Sequence, residues 1–200
     1  MILVDPENLE KLKAALGDLR ARCIAVPPFE TGYLERGHAV HFRCGDPEAE
    51  GMRVDFMATM RGVDRFPQLW ERRTTITLED GLEIEVLALP DLVQAKKTQR
   101  DKDWPMIRRL LEANYFAHRT NPSPERVRFW FRELRTPELL IELVQRFPDE
   151  AGGEVRPAVR AATQGDLGAV SQALSEEEAQ ERERDAEYWQ PLREELSRLR

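Results

Sequence analysis

The sequence predicts an α+β protein in which a sheet region precedes a helical region. Before about residue 89, short segments alternate polar and apolar residues, whereas afterwards apolar residues recur every three or four positions. Turn residues separate the segments, and no internal repeat is present. Strands grouped before helices are typical of the α+β class. We predict two regions, a core domain of residues 1–118 and a helical C-terminal region of residues 119–200.

The N-terminal segment predicts the end of a strand followed by a helix. Ile2-Leu3-Val4 is a short apolar run, Asp5 can cap a helix, and Pro6 suits its first position. A one-sided pattern extends this helix to about residue 21, through Leu9, Leu12, Leu16 and Leu19. Residues 23–37 contain several prolines and glycines and predict a strand remnant followed by a loop.

Two strands are predicted next, from His38 to Cys44 and from Met52 to Ala58. Apolar and polar residues alternate along both, so each has one face suited to a core. Because a short turn separates them, we expect them to pair. Asp55 lies on the polar face of the second strand, between Val54 and Phe56.

A hairpin is predicted from Arg73 to Ala88, after a short helix from Phe66 to Arg72. Asp80-Gly81 is a strong signal for a tight turn between two strands. Glu83 and Glu85 would lie on one face. The aliphatic residues of the other face are expected to point to the core; they are Ile76, Leu78, Leu82, Ile84 and Val86.

Helices are predicted near residues 90–99, 102–118, 123–135, 137–146, 156–163 and 166–199. The last helix carries an apolar stripe near its end, formed by Trp189, Leu192, Leu196 and Leu199, with Pro191 as a point where it can bend. The stripe favours a helix that docks by its last turns. A helix that binds a partner protein or forms a homodimer is the alternative.

Composition narrows the classes of function. A net charge of −7 argues against sequence-independent DNA binding, although local basic patches at 96–102 and 126–135 keep a nucleic-acid contact as a weaker alternative. No run of 18 apolar residues predicts a membrane span, and no signal-peptide pattern begins the chain, so we expect a cytoplasmic protein without membrane contact. Both cysteines are expected to be reduced.

One acid and a group of cations are the candidates for chemistry. Asp55 lies either on a solvated sheet face or in a cleft, where a strand-borne carboxylate suits Mg²⁺ and a substrate phosphate. The cations that follow the sheet form either a surface patch or a phosphate contact, with Asp103 orienting one of them or capping the next helix; they are Lys96, Lys97, Arg100 and Lys102.

Other patterns carry less. His38, His41 and Cys44 have a metal-like spacing, but strand residues three apart point to opposite faces, so they do not converge on one ion. Trp130 lies among arginines and favours helix packing over base stacking. Walker, dinucleotide and Gly-x-Ser-x-Gly motifs are not present in the sequence.

The segment from Met52 to Asp103 resembles the nucleotidyltransferase-like superfamily. The residues that carry the resemblance are Arg-Val-Asp-Phe, Trp-Glu-Arg-Arg, the glycine-turned hairpin, Leu-Pro-Asp-Leu-Val-Gln-Ala-Lys-Lys and Arg-Asp-Lys-Asp. The similarity covers roughly residues 1–115 and is closest to the minimal-nucleotidyltransferase and AbiEii-toxin-like bacterial branch.

The resemblance implies a mixed sheet with flanking helices. It also implies Mg²⁺-dependent transfer of a nucleoside monophosphate from a nucleoside triphosphate to a hydroxyl, in a toxin–antitoxin or phage-defence setting. Asp55 matches the third metal-binding carboxylate, Lys96, Arg100 and Lys102 match the cationic helix, and Asp103 matches the acid that usually ends the motif. Lys97 and Asp103 are counted with these cations as predicted phosphate-binding residues. We therefore expect Asp55 to face Lys96 and Arg100 across one hollow.

The sequence departs from the superfamily at its start. The glycine-rich turn and the Asp-x-Asp strand of such proteins would fall at or before Met1. The natural chain can be longer, the protein can be a non-catalytic relative that binds a nucleotide or a protein, or another subunit can supply the strand. With a single carboxylate, we expect little or no transfer by these 200 residues.

Overall fold

A computed structural model describes residues 1–199 and confirms the α+β class. The helices are α1 Pro6–Asp18, α2 Thr31–Arg36, α3 Phe66–Glu71, α4 Leu89–Lys96, α5 Asp103–His118, α6 Pro124–Glu133, α7 Pro137–Arg146, α8 Pro148–Gly152, α9 Pro157–Ala162 and α10 Leu167–Arg198. The strands are β1 Arg22–Cys23, β2 Val40–Arg43, β3 Arg53–Phe56, β4 Thr74–Thr77 and β5 Glu83–Val86, and a 3₁₀ turn spans Pro47–Ala49.

The chain divides into two compact units. The first comprises Met1–Ala95 and the chain from Glu187 onward, and the second comprises Lys96–Ala186. This division falls earlier than residue 118, and it returns the last turns of α10 to the first unit. The domain boundary after residue 118 stays a prediction.

The first sheet has the order β1-β2-β3 and is antiparallel throughout. Val40 and Phe42 of β2 are buried, as the alternation predicts, and pack with Leu16 of α1 and Leu34 of α2. The predicted pairing of the two strands is confirmed, with Val40 opposite Phe56. The mixed sheet implied by the resemblance is wrong for residues 1–199, because β4 and β5 form a sheet of their own and every strand pairing in both sheets is antiparallel.

The start of α1 is as predicted, but the segment before it is not a strand. Asp5 accepts a hydrogen bond from the backbone N–H of Asn8 at 3.0 Å, and Pro6 occupies the first turn. Ile2 donates its backbone N–H to Met57 at 2.8 Å, without a strand ladder. The apolar side chains of Ile2 and Val4 pack against the core cluster, which accounts for the apolar run without a strand. Helix α2 was not predicted, since its residues follow a loop-like stretch rich in proline and glycine.

The β4–β5 hairpin turns at the predicted place, but its faces are not as expected. Ile76 pairs with Ile84, and the backbone N–H of Gly81 closes the turn on Leu78. Four of the five residues predicted to point to the core are exposed, at 43% for Ile76, 41% for Leu78, 57% for Leu82 and 37% for Ile84, whereas Val86 is half-buried. Alternation correctly predicts that these residues share a face, but it does not say whether another layer covers that face.

The second unit is helical, and several of its helices begin at a proline or directly after a capping residue. Ser123 caps α6 by accepting from the Arg126 N–H at 3.3 Å, and prolines occupy the first turns of α6, α7, α8 and α9. Tyr115 and Trp130 pack edge to face in its core, with ring centres 4.8 Å apart. Among residues 1–199, no helix is long and apolar enough to cross a membrane.

The end of α10 docks on the first unit, as one of the two interpretations predicted. Leu192 is buried, and His38, itself only 1% exposed, lies with Nε2 2.8 Å from Glu195 Oε2. Arg36 donates to Glu195 Oε1 at 2.8 Å. The helix continues through Pro191. The homodimer interpretation of this helix stays a prediction.

The Glu195 contact predicts a dependence of stability on pH. Hydrogen bonds from His38 and Arg36 lower the pKa of Glu195 in the folded chain. The ionised carboxylate therefore stabilises the fold fully above the ordinary glutamate pKa, and this stabilisation is lost as the pH falls through the lowered value. We expect Glu195→Gln to lower the thermal midpoint at neutral pH, with a difference from the natural chain that closes below about pH 4.

Thermal unfolding of both chains between neutral and acidic pH measures this difference. Glu194→Gln is the matched control, because Glu194 is exposed and its carboxylate accepts from Gln190 instead of His38. A difference between Glu195→Gln and the natural chain that is equally large at neutral and acidic pH would contradict the assignment.

Candidate functional site

Asp55 lies on the solvated face of the first sheet. Strand β3 places it opposite His41 of β2, and its carboxylate is 42% exposed. Arg53 Nε donates to Asp55 Oδ1 at 2.8 Å, and His41 Nδ1 lies 2.8 Å from the same oxygen. Arg53 lies two residues from Asp55 on the same strand, and His41 lies directly opposite Asp55 on the neighbouring strand. All three side chains are therefore on one face of the sheet, where they can meet.

The environment keeps Asp55 ionised. Partial burial raises its pKa, but the hydrogen bonds from Arg53 and His41 outweigh burial, so the pKa of Asp55 lies below its ordinary value. A carboxylate of this kind is charged at neutral pH, as a metal ligand must be. One of its two oxygens, however, already has two partners.

The described residues do not complete the metal site that the resemblance implies. Within residues 1–199, no group of three or more His, Cys, Asp or Glu side chains is placed to hold an ion. His38, His41 and Cys44 do not converge, as predicted, since His38 contacts Glu195 and His41 contacts Asp55. Mg²⁺ therefore stays an expectation of the resemblance, with Asp55 as its predicted ligand.

The predicted phosphate-binding segment forms a local network instead of an open row of cations. Asp103, 2% exposed, accepts from Thr98 Oγ1 at 2.6 Å and from Lys96 Nζ at 3.4 Å. The indole N–H of Trp104 donates to the carbonyl of Thr98 at 2.8 Å. The interpretation of Asp103 as the acid that orients one of the cations is consistent with its contact to Lys96.

Lys97 is the most deeply placed of these cations. Its Nζ lies 2.8 Å from Glu133 Oε2 and donates to Oε1 at 3.1 Å, and both side chains are less than a tenth exposed. A buried ammonium is costly unless an opposite charge accompanies it. Lys97 therefore serves the interior of the second unit, and a phosphate could reach it only by displacing Glu133.

Arg100 and Lys102 are the remaining predicted phosphate contacts. Both are exposed, and within residues 1–199 neither side chain has a hydrogen bond or an ion pair. Asp55 belongs to the first unit and these cations to the second. The cavity lined by Trp70 and the one lined by Trp104 include none of the six predicted site residues.

A contact between two of the quoted motifs was missed. Arg72, of Trp-Glu-Arg-Arg, donates from Nε and Nη2 to the two oxygens of Asp91, of Leu-Pro-Asp-Leu, both at 2.7 Å. Asp64 Oδ2 lies 2.8 Å from Arg72 Nη2. Hydrogen bonds from these two carboxylates raise the pKa of Arg72. The sequence offered one signal for this contact: Arg72 caps the end of α3, and the oppositely charged Asp91 lies in the first turn of α4.

The aromatic segment of α6 packs internally. Trp130 is fully buried, and its indole N–H donates to Asn114 Oδ1 at 2.9 Å; Phe129 and Phe131 are also buried. This confirms the preference for packing over base stacking. A nucleic-acid contact keeps only the exposed cations as its basis.

The exposed face of the β4–β5 hairpin is the largest unexpected feature of the first unit. We call its four aliphatic residues, Ile76, Leu78, Leu82 and Ile84, the hairpin's aliphatic face. The opposite face carries Glu83 and Glu85, and Thr75 donates to Glu85 at 3.0 Å. Near the base of the hairpin, Arg73 lies 4.0 Å from the ring centre of Trp70 and pairs with Glu85.

Comparison of the chain with protein-family models, with curated proteins and with solved structures gave no match.

Proposed function

We propose that this chain is a nucleotidyltransferase-like protein that acts as a non-catalytic module and binds a partner protein through the hairpin's aliphatic face. The observation that carries the proposal is the exposure of four large aliphatic side chains on one face of a two-stranded sheet. Contiguous exposed apolar surface on a soluble domain is typical of interaction sites.

The small size of the hairpin sheet is a further argument that a partner protein covers it. A sheet of only two strands is marginally stable in water unless another surface covers it. The backbone edges of β4 and β5 that do not pair with each other are also open to a further strand, since no other strand of residues 1–199 pairs with them. A partner that covers the aliphatic face would stabilise the hairpin at the same time.

The charges favour a partner with a basic rim over a second copy of this chain. Residues 73–86 carry four acids, Glu79, Asp80, Glu83 and Glu85, and one cation, Arg73. Two copies meeting at this hairpin would bring like charges together, which costs free energy in a desolvated contact. A surface with aliphatic residues ringed by Lys or Arg complements the hairpin in both respects.

The charged motif residues support a module that does not depend on catalysis. Asp55, Lys96 and Lys97 are engaged by neighbours in the fold, and the contact of Arg72 with Asp91 joins two motifs structurally. These contacts give the motif residues a role in folding that persists without chemistry. The toxin–antitoxin or defence setting implied by the resemblance fits a protein that binds another protein.

The triple variant Ile76→Thr, Leu82→Thr, Ile84→Thr tests the proposal. Threonine keeps a high strand propensity, so the hairpin is preserved while apolar area is removed. Each change removes roughly 1 kcal/mol of burial, so we expect the partner's affinity to fall at least about 100-fold. Proteins captured from the source cells on the natural chain and on the variant are compared, and the purified candidate is then titrated calorimetrically.

Thr75→Ser with Thr77→Ser, on the opposite face, is the matched control and should leave the affinity unchanged. Increasing salt should weaken the complex, since acids meet cations at its rim. Equal affinity for the natural chain and the triple variant would contradict the proposal. A natural chain that forms dimers, and a triple variant that does not, would also contradict it by showing a second copy as the occupant.

Nucleotide binding is a second candidate function, favoured by the exposed and unpaired side chains of Arg100 and Lys102. In this reading the two cations contact the phosphates of a nucleoside triphosphate, as the resemblance implies. With Asp55 alone as a predicted metal ligand, binding would occur without transfer.

Calorimetric titration with ATP and Mg²⁺, followed by a label-transfer assay, tests this second function. We expect Arg100→Ala to weaken binding at least about tenfold through loss of a charge-assisted contact, and no label transfer by the natural chain. Arg109→Ala removes another exposed cation and serves as the control. Unchanged ATP binding in Arg100→Ala would exclude the phosphate contact, and label transfer would contradict a non-catalytic module.

A further inference from the structure

The second unit contains a polar cavity that neither the predicted site nor the hairpin uses. Its volume is about 140 Å³. It is lined by α5, by the segment joining α6 to α7, and by α10; the lining residues used below are Trp104, Arg108, Arg135, Ser171, Ser175 and Glu178. Ser171, Ser175 and Glu178 fall at helical spacings of four and three, so α10 presents them on one face.

Arg135 is the unusual member of this cavity. It is only 7% exposed, and its Nε and Nη1 have no hydrogen-bond partner. The nearest carboxylate oxygen, Glu177 Oε2, lies 3.9 Å from Nη1, beyond hydrogen-bond distance. A buried guanidinium has five N–H donors, and leaving them unpaired is costly.

The acids whose charge acts on Arg135 are Glu133, Glu177 and Glu181, and each of them forms an ion pair with another cation. Glu177 accepts from Arg156 Nη2 at 2.8 Å, and Glu178 accepts from Arg182 Nη2 at 2.7 Å. Burial lowers the pKa of Arg135, and the positive charge of Arg156 lowers it further. The charges of Glu133, Glu177 and Glu181 act in the opposite direction, but none of these acids accepts a hydrogen bond from Nε or Nη1 of Arg135.

Two further donors border the same space. Arg108 is exposed at the cavity, and within residues 1–199 its side chain has no hydrogen bond or ion pair. Ser175 donates its hydroxyl to the backbone carbonyl of Ser171 at 3.0 Å, and within residues 1–199 the Ser171 hydroxyl has no hydrogen bond. The ring of Trp104 closes one side, 5.0 Å from the guanidinium carbon of Arg135.

We propose that this cavity binds a phosphate group, either free phosphate or the terminal phosphate of a small molecule, between Arg108, Arg135 and Ser171. The three donors come from three different segments, which suits a tetrahedral oxyanion whose acceptor oxygens point in several directions. A cavity of about 140 Å³ has room for one oxyanion. The bound anion supplies the hydrogen-bond acceptor that Arg135 lacks.

Isothermal titration of the full chain with inorganic phosphate and with methyl phosphate, at matched ionic strength, tests the site. The natural chain should bind, and Arg108→Ala and Arg135→Met should each weaken binding at least about tenfold by removing a charge-assisted hydrogen bond. Arg109→Ala, the next residue on α5, removes an equally exposed arginine that does not line the cavity and should bind as the natural chain does.

Binding of both probes would identify a terminal phosphate as sufficient, and binding of inorganic phosphate alone would identify an enclosed site for the free ion. Arg108 is exposed, so Arg108→Ala remains informative if Arg135→Met does not fold. Saturable binding that is equally strong in Arg108→Ala and Arg109→Ala would overturn the proposal, as would the lack of saturable phosphate binding by the natural chain.

Discussion

A charged side chain that leaves water must meet an opposite charge, and this constraint organises both units of the chain. Lys97 and Glu133 form the most buried pair, with Nζ and Oε2 2.8 Å apart inside the second unit. In the first unit, Asp91 is buried beneath the two-pronged contact of Arg72. For the buried pair of Lys97 and Glu133, removing one partner alone would cost several kcal/mol, because the other charge would stay buried without a counter-charge.

The same constraint relates the motif residues to the two proposals. Where a cation already has an acid at hydrogen-bond distance, as Lys97 has, a ligand phosphate must compete with it. Arg135 is the exception, since its nearest acid is held by Arg156, and that exception is the basis for an anion site. The hairpin presents the apolar counterpart: Ile76 and Leu82 are exposed where a core was expected.

The sequence was sufficient for local structure and for pairing between neighbouring strands. Asp5 and Pro6 predicted the start of α1 because capping depends on adjacent residues, and the alternation of β2 predicted its buried side. It was insufficient for what depends on other layers. Alternation placed Ile76 and Ile84 on one face without showing that the face is uncovered. No spacing rule brings Arg72 to Asp91 or leaves Nε and Nη1 of Arg135 without a hydrogen-bond partner.

A double-mutant cycle on Lys97 and Glu133 tests most directly whether a cation of the predicted phosphate-binding segment stabilises the fold through its buried ion pair. Urea unfolding would be measured for Lys97→Met, Glu133→Leu and the double variant. We expect Glu133→Leu to lose about 3–5 kcal/mol, because it leaves a buried ammonium unpaired, and the double variant to recover much of that loss. Single changes that each cost less than about 0.5 kcal/mol and simply add would contradict the account.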